Sequence, residues 1–158
     1  MKILLPMDHS DFSQRALNSL IAQPYKKGTQ VLLLHAIEPI TTYITAGLVP
    51  EITYDSEQLE ADRHKQAKVL LDRAAQKLRK AGLKPSERIE FGDPKSCILD
   101  AADSWRADLI VLGSHGLRGL SHFLLGSVSE AVMRHAKCSV TIVRTPAKSA
   151  AKASKPKK

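Results

Sequence analysis

Two uninterrupted apolar runs constrain the fold of this chain more than any other feature. Residues 31–34 read Val-Leu-Leu-Leu, and residues 109–112 read Leu-Ile-Val-Leu. A strand buried on one face alternates apolar and polar residues, whereas a strand buried on both faces is apolar throughout. The runs therefore predict a parallel sheet that is covered by helices on both sides.

The remaining sequence alternates between strand and helix patterns in agreement with such a sheet. Predicted strands cover residues 2–7, 30–37, 84–91, 109–113 and 139–144, while helical spacing is clearest at 56–81 and 124–135. Right-handed crossovers then imply a doubly wound α/β fold, a single domain with a five-stranded parallel sheet and helices on both faces. The strand order that we expect is 3-2-1-4-5. Strand three alternates and suits an edge. Strands one and four meet at the switch point where such sheets bind ligands.

A glycine-rich segment follows the fourth strand. It reads Gly-Ser-His-Gly at residues 113–116, then nine residues, then Gly-Ser at 126–127. Glycine allows a sharp turn and a close backbone approach, and the free N–H groups of a following helix attract anions. The spacing matches neither the P-loop nor the dinucleotide fingerprint. The segment predicts a phosphate site, with a simple tight turn and helix cap as the alternative.

Three loops together resemble those of the universal stress protein family. They are Pro-Met-Asp-His-Ser at residues 6–10, His35-Ala36 ending strand two, and the glycine segment continued by Val-Ser-Glu at 128–130. The resemblance covers residues 1–144. It implies a five-stranded parallel α/β sheet that binds ATP at the carboxyl ends of its strands. Family members without the glycine segment bind no ATP, and this chain has the segment in full.

The resemblance and the glycine spacing together give a set of candidate ATP ligands. Backbone amides of residues 113–119 and 126–129 would hold the phosphates, and Mg²⁺ would arrive with them, since it binds mainly through phosphates and water. By resemblance, the backbone of Ala36, where the family usually has valine, would read the adenine edge. The candidates are Pro6, Met7, Asp8, Ala36, Gly113, Ser114, His115, Gly116, Leu117, Arg118, Gly119, Gly126, Ser127, Val128 and Ser129.

Several of these side chains have a second interpretation. Asp8 could accept hydrogen bonds from ribose hydroxyls, or it could only cap the first helix. Arg118 could pair with a terminal phosphate or face solvent. His115 could be a base, a metal ligand or an exposed loop residue, and His35 is expected to be structural. The histidines include no helical pair that suits zinc, so no dedicated metal site is expected.

Charge is concentrated at the C-terminus. The formal net charge is +8, and it falls to +3 without Lys148, Lys152, Lys155, Lys157 and Lys158. We therefore expect a nucleotide-binding domain at residues 1–145 and a basic, disordered tail at 146–158. This location of the charge argues against nucleic acid as a partner, although the tail could act as a weak arm for polyanions.

Composition also predicts a cytoplasmic location. No apolar run is long enough to span a membrane. Met1 leads directly into strand residues and leaves no room for a signal peptide. Cys97 and Cys138 lie in dissimilar settings, which favours reduced thiols.

No catalytic residue is assigned from the sequence. No acidic pair stands beside the glycine segment, and neither cysteine has an evident activating partner. The resemblance implies a stress-response protein that binds ATP and acts by binding, with at most slow hydrolysis or self-phosphorylation. The alternatives are a slow ATPase on the same fold and an interaction protein that binds no nucleotide.

The last strand predicts a homodimer. Residues 139–144 begin with Ser139, continue with four β-forming residues and carry one charge, Arg144. An edge strand of this composition without proline invites pairing with a second chain. Symmetric pairing would give a closed two-fold dimer, which the family resemblance also implies.

Overall fold

A computed structural model describes residues 1–39, 56–116 and 125–144 of the chain. Its elements alternate between strand and helix. They are β1 (Lys2–Pro6), α1 (Asp11–Ala22), β2 (Gln30–Ile37), α2 (Ser56–Lys80), β3 (Lys84–Phe91), α3 (Pro94–Trp105), β4 (Leu109–Gly113), α4 (Ser127–His135) and β5 (Ser139–Val143). The five strands form one sheet in the order β3-β2-β1-β4-β5, and every pairing between neighbours is parallel. The predicted fold class, strand order and two edge strands are confirmed.

The sheet is apolar on both faces because both faces are covered. On one face α1 and α2 pack against alternate strand residues, and the buried cluster includes Ile3, Leu5, Leu17, Leu20, Val31, Leu33, Leu71 and Leu78. On the other face α3 and α4 pack against the intervening residues, and that cluster includes Leu4, Leu32, Leu34, Ile98, Ile110, Leu112 and Val132. Each fully buried side chain of this size contributes about 1.5–3 kcal/mol of transfer free energy. The continuous runs at 31–34 and 109–112 thus supply both cores.

Most of the predicted boundaries agree with the structure. Three strands have the predicted limits, and β1, α2 and β5 each end one residue earlier than predicted. The last helix is the exception, because it begins at Ser127 rather than at Leu124. Gly126 is extended, with φ −64° and ψ 150°, and its N–H donates to the carbonyl of Ser114 at 2.8 Å. That bond pulls the chain out of the helical path that the apolar spacing predicted.

The end of β4 lies unusually close to α1. A Cβ on Gly113 would stand 2.7 Å from the backbone of Phe12, which is shorter than real contacts allow. From the other side, the buried hydroxyl of Ser129 donates to the carbonyl of Gly113 at 2.8 Å. Gly113 therefore joins α1, β4 and α4 at one point of the carboxyl edge.

Some sequence-based predictions fall outside the described residues. Leu117, Arg118, Gly119 and Leu124 belong to this group, together with residues 40–55 and the tail at 146–158. For the tail and for the ligand candidates Leu117, Arg118 and Gly119, the statements made from the sequence remain predictions. Among the described helices, none has both the length and the apolar character needed to cross a bilayer.

Replacing Gly113 by alanine should destabilise the fold. The added methyl group must displace the α1 backbone at Phe12, and overpacking of this kind costs about 1–3 kcal/mol. Urea unfolding measures the effect. Gly126→Ala is the matched control, because the nearest atom to its new Cβ would be the Cα of His115, at the milder distance of 3.2 Å. Equal free energies of unfolding for the two variants would contradict this explanation.

Candidate functional site

A cleft of about 650 Å³ opens at the carboxyl edge of the sheet. It lies where β1 and β4 are neighbours and where the chain leaves the sheet in opposite directions, as expected for a switch point. The ends of β1, β2 and β4 and the first turns of α3 and α4 line it. The lining includes the predicted residues Pro6, Met7, Asp8, Ala36, Gly113, His115, Gly116, Gly126, Ser127, Val128 and Ser129.

The two halves of the glycine segment are in direct contact. The N–H of Gly126 donates to the carbonyl of Ser114, and a Cβ on Gly126 would stand 3.2 Å from Cα of His115. Gly116 and Gly126, on either side of the nine-residue interval, therefore lie close together. Ser114 is buried beneath the cleft, while His115 and Gly116 line it.

The first turn of α4 differs from those of two other helices. Ser10 caps α1 and Asp93 caps α3, each by accepting a hydrogen bond from a backbone N–H in the first turn. At α4 the cap position is Gly126, and no side-chain cap bond is made among the described residues. The first N–H groups of a helix have no partner within the helix. In α4 this turn lines the cleft, which gives a positive, anion-attracting end.

Asp8 stands opposite the glycine segment. One carboxylate oxygen accepts hydrogen bonds from Ser10, from the backbone N–H at 3.1 Å and from the hydroxyl at 2.5 Å. The other oxygen faces Gly116, where an added Cβ would stand only 2.9 Å away. Ser10, not Asp8, is the N-cap of α1. Asp8 therefore stabilises the cap residue with one oxygen and presents the other to the cleft.

His35 connects the ends of β2 and β1. Its Nδ1 lies 2.7 Å from the carbonyl oxygen of Met7, and since a carbonyl only accepts, Nδ1 carries the proton. Burial lowers the pKa of His35, the bond to Met7 opposes that shift, and the nearby His9 adds to it. The ring is thus neutral and holds the chain directly before Asp8. The structural role that the sequence predicted for His35 is confirmed.

His115 and the two serines of α4 have different hydrogen-bonding states. The ring of His115 lies 5.0 Å from that of Phe12, and its Nδ1 is 3.0 Å from the hydroxyl of Ser114. The hydroxyl of Ser129 donates to the carbonyl of Gly113, so Ser129 offers the cleft its backbone rather than its side chain. Ser127 is exposed at the helix start and lines the cleft.

The cleft also contains charged residues that the sequence analysis did not select. Arg63 of α2, Lys95 of α3 and His9 of the first loop all line it. Arg63 donates to the carbonyl of Glu38 at 2.7 Å, which brings α2 over the end of β2. The sequence contained a signal for Lys95, because the first turn of a helix that follows a strand lies at the carboxyl edge of the sheet. Lys95 sits in such a turn, directly after Asp93 and Pro94.

No group of three histidine, cysteine or carboxylate side chains in the described ranges is arranged to hold a metal ion. Cys97 and Cys138 are free thiols, and burial raises the pKa of each. Both are therefore protonated at neutral pH and poor nucleophiles.

Comparison with known proteins agrees with this architecture. A family model described as the universal stress protein family matches residues 1–144. The chain belongs to the universal stress protein family. Among curated relatives, the universal stress protein Sll1388 of Synechocystis is 32% identical over 150 residues, covering 90% of this chain and 97% of that protein.

Solved structures of the family share the fold. The hypothetical protein MJ0577 superposes with a TM-score of 0.78 at 29% identity, covering 92% of this chain and 96% of that one. A universal stress protein solved in complex with cAMP gives a TM-score of 0.65 at 26% identity, covering 92% and 98%. That second structure holds an adenine nucleotide.

His35 should make the stability of this family member depend on pH. Its folded pKa is below the value of about 6.5 in the unfolded chain, so the unfolded state binds more protons between the two values. The contribution of neutral His35 to the free energy of unfolding is complete above about pH 6.5 and is lost as the pH falls through the folded pKa. His35→Asn keeps a donor near Nδ1 but does not titrate.

Unfolding free energies between pH 8 and pH 5 test this effect. The loss of stability on acidification should be smaller in His35→Asn than in the wild type. His64→Asn, at an exposed position on α2, is the matched control and should keep the wild-type dependence. Identical pH profiles for His35→Asn and the wild type would contradict the assignment.

Proposed function

We propose that this universal stress protein binds ATP in the carboxyl-edge cleft and acts in a stress response through its nucleotide-bound state. The observation that carries the proposal is the first turn of α4, which opens into the cleft without a side-chain cap. The described glycines of the segment, Gly113, Gly116 and Gly126, line the cleft beside that turn. The cAMP complex of a related protein supports an adenine nucleotide as the ligand class.

The arrangement of the cleft suggests how ATP would lie. The phosphates would take the N–H groups of 115–116 and 127–129, because an anion there is favoured by the helix end. The N–H groups of Ser114 and Gly126 already donate to the carbonyls of Val143 and Ser114. The ribose would use the second oxygen of Asp8, which already faces Gly116. The adenine would lie towards Ala36, whose side chain is small and whose backbone is at the strand end. Mg²⁺ would bind through the phosphates and water.

The glycines fit a bound nucleotide for a physical reason. At Gly116 an added Cβ would collide with the Asp8 carboxylate, and at Gly126 it would press on the His115 backbone. Side chains at either position would therefore displace proposed ligands as well as block the backbone. A protein that leaves the cleft empty has no need for this close approach, which disfavours the alternative of a nucleotide-free interaction protein.

The enzymatic alternative is a slow ATPase or a self-phosphorylating protein. The cleft contains the carboxylates of Asp8 and Asp93, but they come from separate loops and Asp93 accepts bonds from its own helix. Phosphoryl transfer needs placed metal ligands and positive charge at the transferred group. We therefore propose binding as the activity and assign no catalytic residue. Multiple-turnover phosphate release that is lost with the glycine segment would favour the enzyme instead.

Asp8→Ala should weaken the binding of adenosine and ATP to a similar extent. Loss of a charged hydrogen-bond acceptor costs about 1.5–3 kcal/mol, or roughly 10- to 150-fold in affinity. Gly126→Val should abolish ATP binding. Calorimetry measures both affinities. Asp11→Ala is the control, because Asp11 lies exposed in the first turn of α1, the helix that follows Asp8.

Three results separate the possibilities. If Asp8→Ala lowers only ATP affinity, Asp8 acts at the phosphates or the metal rather than at the ribose. If folded Gly126→Val binds ATP as tightly as the wild type, the phosphate site lies elsewhere. If the wild-type protein binds no adenine nucleotide, the proposed function is wrong.

We also propose a homodimer through β5. This strand lies at one edge of the sheet and contains neither proline nor charge between Ser139 and Val143. The opposite edge, β3, carries Pro85 and several charged residues, which discourage pairing. We further retain the cytoplasm as the proposed location and residues 146–158 as a separate basic tail.

Ile142→Lys should convert the dimer to a monomer, because a charge would enter the centre of the pairing. Ile142 also packs partly against the core below α4, so Thr141→Lys, at an exposed position, is the second variant. Sedimentation at micromolar concentration measures the state, and thermal melting checks the fold. A wild-type protein that sediments as a monomer would contradict this dimer.

A further inference from the structure

The amino edge of the sheet, opposite the cleft, gathers a set of cations that are far apart in the sequence. We call the set the basic edge and define it as Lys2, Lys26, Lys27, Lys80, Lys84 and Arg106. Lys2 begins β1 and Lys84 begins β3, and both lie in register with Gln30 at the start of β2. The others come from the loops or helix ends that feed these strands and β4.

Two loops of the basic edge are held against each other. The N–H of Gly28 donates to the carbonyl of Gly82 at 3.2 Å, which joins the loop before β2 to the loop before β3. The ammonium group of Lys84 lies 3.9 Å from the place where a Gly28 Cβ would be, and Cγ of Lys27 lies equally close to that of Gly82. Lysines from two distant segments are therefore neighbours in space.

Four of these cations are not neutralised within the described part of the chain, whereas the ammonium group of Lys2 donates to the carbonyl of Trp105 and lies over its ring. Lys26, Lys27, Lys80 and Lys84 make no ion pair with any described carboxylate, and all four are exposed. The carboxylates that do lie near this edge are engaged by other groups. Asp103 pairs with Lys137 at 2.5 Å, and Asp108 accepts the backbone N–H of Lys2 at 2.7 Å.

Helix dipoles explain only part of this arrangement. Lys80 lies in the last turn of α2, where a cation is favoured by the negative helix end. Lys26, Lys27 and Lys84 lie outside the helices, so the last turn of a helix does not account for them. Unpaired like charges on adjacent loops repel one another, and a bound polyanion would relieve that repulsion.

We propose that the basic edge is a binding surface for a single strand of nucleic acid, recognised through its phosphates. Neighbouring strands are about 4.8 Å apart, so the starts of β3, β2, β1 and β4 form a row about 14 Å long. A linear row of cations fits a linear polyanion. Lysine binds phosphate as a point charge without reading the bases, so the binding is independent of sequence.

The composition of the surface favours nucleic acid over a membrane. Surfaces that bind anionic lipid combine cations with inserted apolar side chains. Met1 is the large exposed apolar residue beside the basic edge, at 58% exposure, and no exposed aromatic residue lies among the described residues there. The location of much of the charge in the tail argued against nucleic acid, because the sequence alone does not show that other cations are gathered at one edge.

The test uses the full chain and a labelled 20-nucleotide single-stranded RNA without secondary structure. The edge variant carries Lys26→Gln, Lys27→Gln, Lys80→Gln and Lys84→Gln. The control carries Lys148→Gln, Lys152→Gln, Lys155→Gln and Lys157→Gln in the tail, which removes the same net charge. Fluorescence anisotropy is measured at several salt concentrations, and thermal melting confirms that both variants are folded.

The edge variant should bind about tenfold or more weakly than the tail variant at low salt. Each lost phosphate contact reduces the slope of log affinity against log salt by about 0.7, so four contacts reduce it by about 3. Saturating ATP should leave RNA affinity unchanged, because the cleft is at the opposite edge. The proposal is overturned if the edge variant and the wild type bind RNA equally, or if only the tail variant loses affinity for RNA. It is also overturned if ATP competes with RNA, or if the wild type binds phosphatidylserine vesicles but not RNA.

Discussion

The close approach of β4 to α1 at Gly113 is the contact on which the carboxyl edge depends. The absence of a side chain lets the Phe12 backbone lie against the strand end, and the hydroxyl of Ser129 fixes the same residue from α4. The described residues next to this junction make close contacts of their own. His115 lies beside the Phe12 ring, Gly116 lies beside the Asp8 carboxylate, and Gly126 returns to Ser114. Packing and site geometry therefore share one cause.

Among the described residues, the start of α4 has no side-chain cap, unlike the starts of α1 and α3. A serine or aspartate at the cap position is worth about 1 kcal/mol of stability, and both α1 and α3 have one. At α4 the cap is glycine, and the free N–H groups face a cleft instead of a side chain. A cap that stabilised this helix would compete with an anion for the same donors. The missing cap is consistent with stability given up for binding.

The two edges of the sheet are electrically different because parallel strands align all helices in the same sense. The positive helix ends point to the carboxyl edge, where the cleft mixes carboxylates, histidines and cations. The negative helix ends point to the amino edge, where unpaired lysines are exposed. The two surfaces that we propose for anions therefore lie at opposite edges of the sheet. One uses backbone N–H groups in a recess, and the other uses side-chain charge on an exposed edge.

The sequence by itself determined the fold class and most of the element limits, because apolar periodicity is a local property that burial then satisfies. The strand order expected for such a fold is also the one observed. It also identified the glycine segment and the residues of the first loop that line the cleft. It placed the start of α4 too early, since the bond from Gly126 to Ser114 is formed between chain segments. Only the tertiary structure showed that Arg63 and Lys95 join the cleft and that distant lysines meet at the amino edge. Such groupings depend on which loops come together in the fold. No periodic pattern of charge along the sequence reveals them.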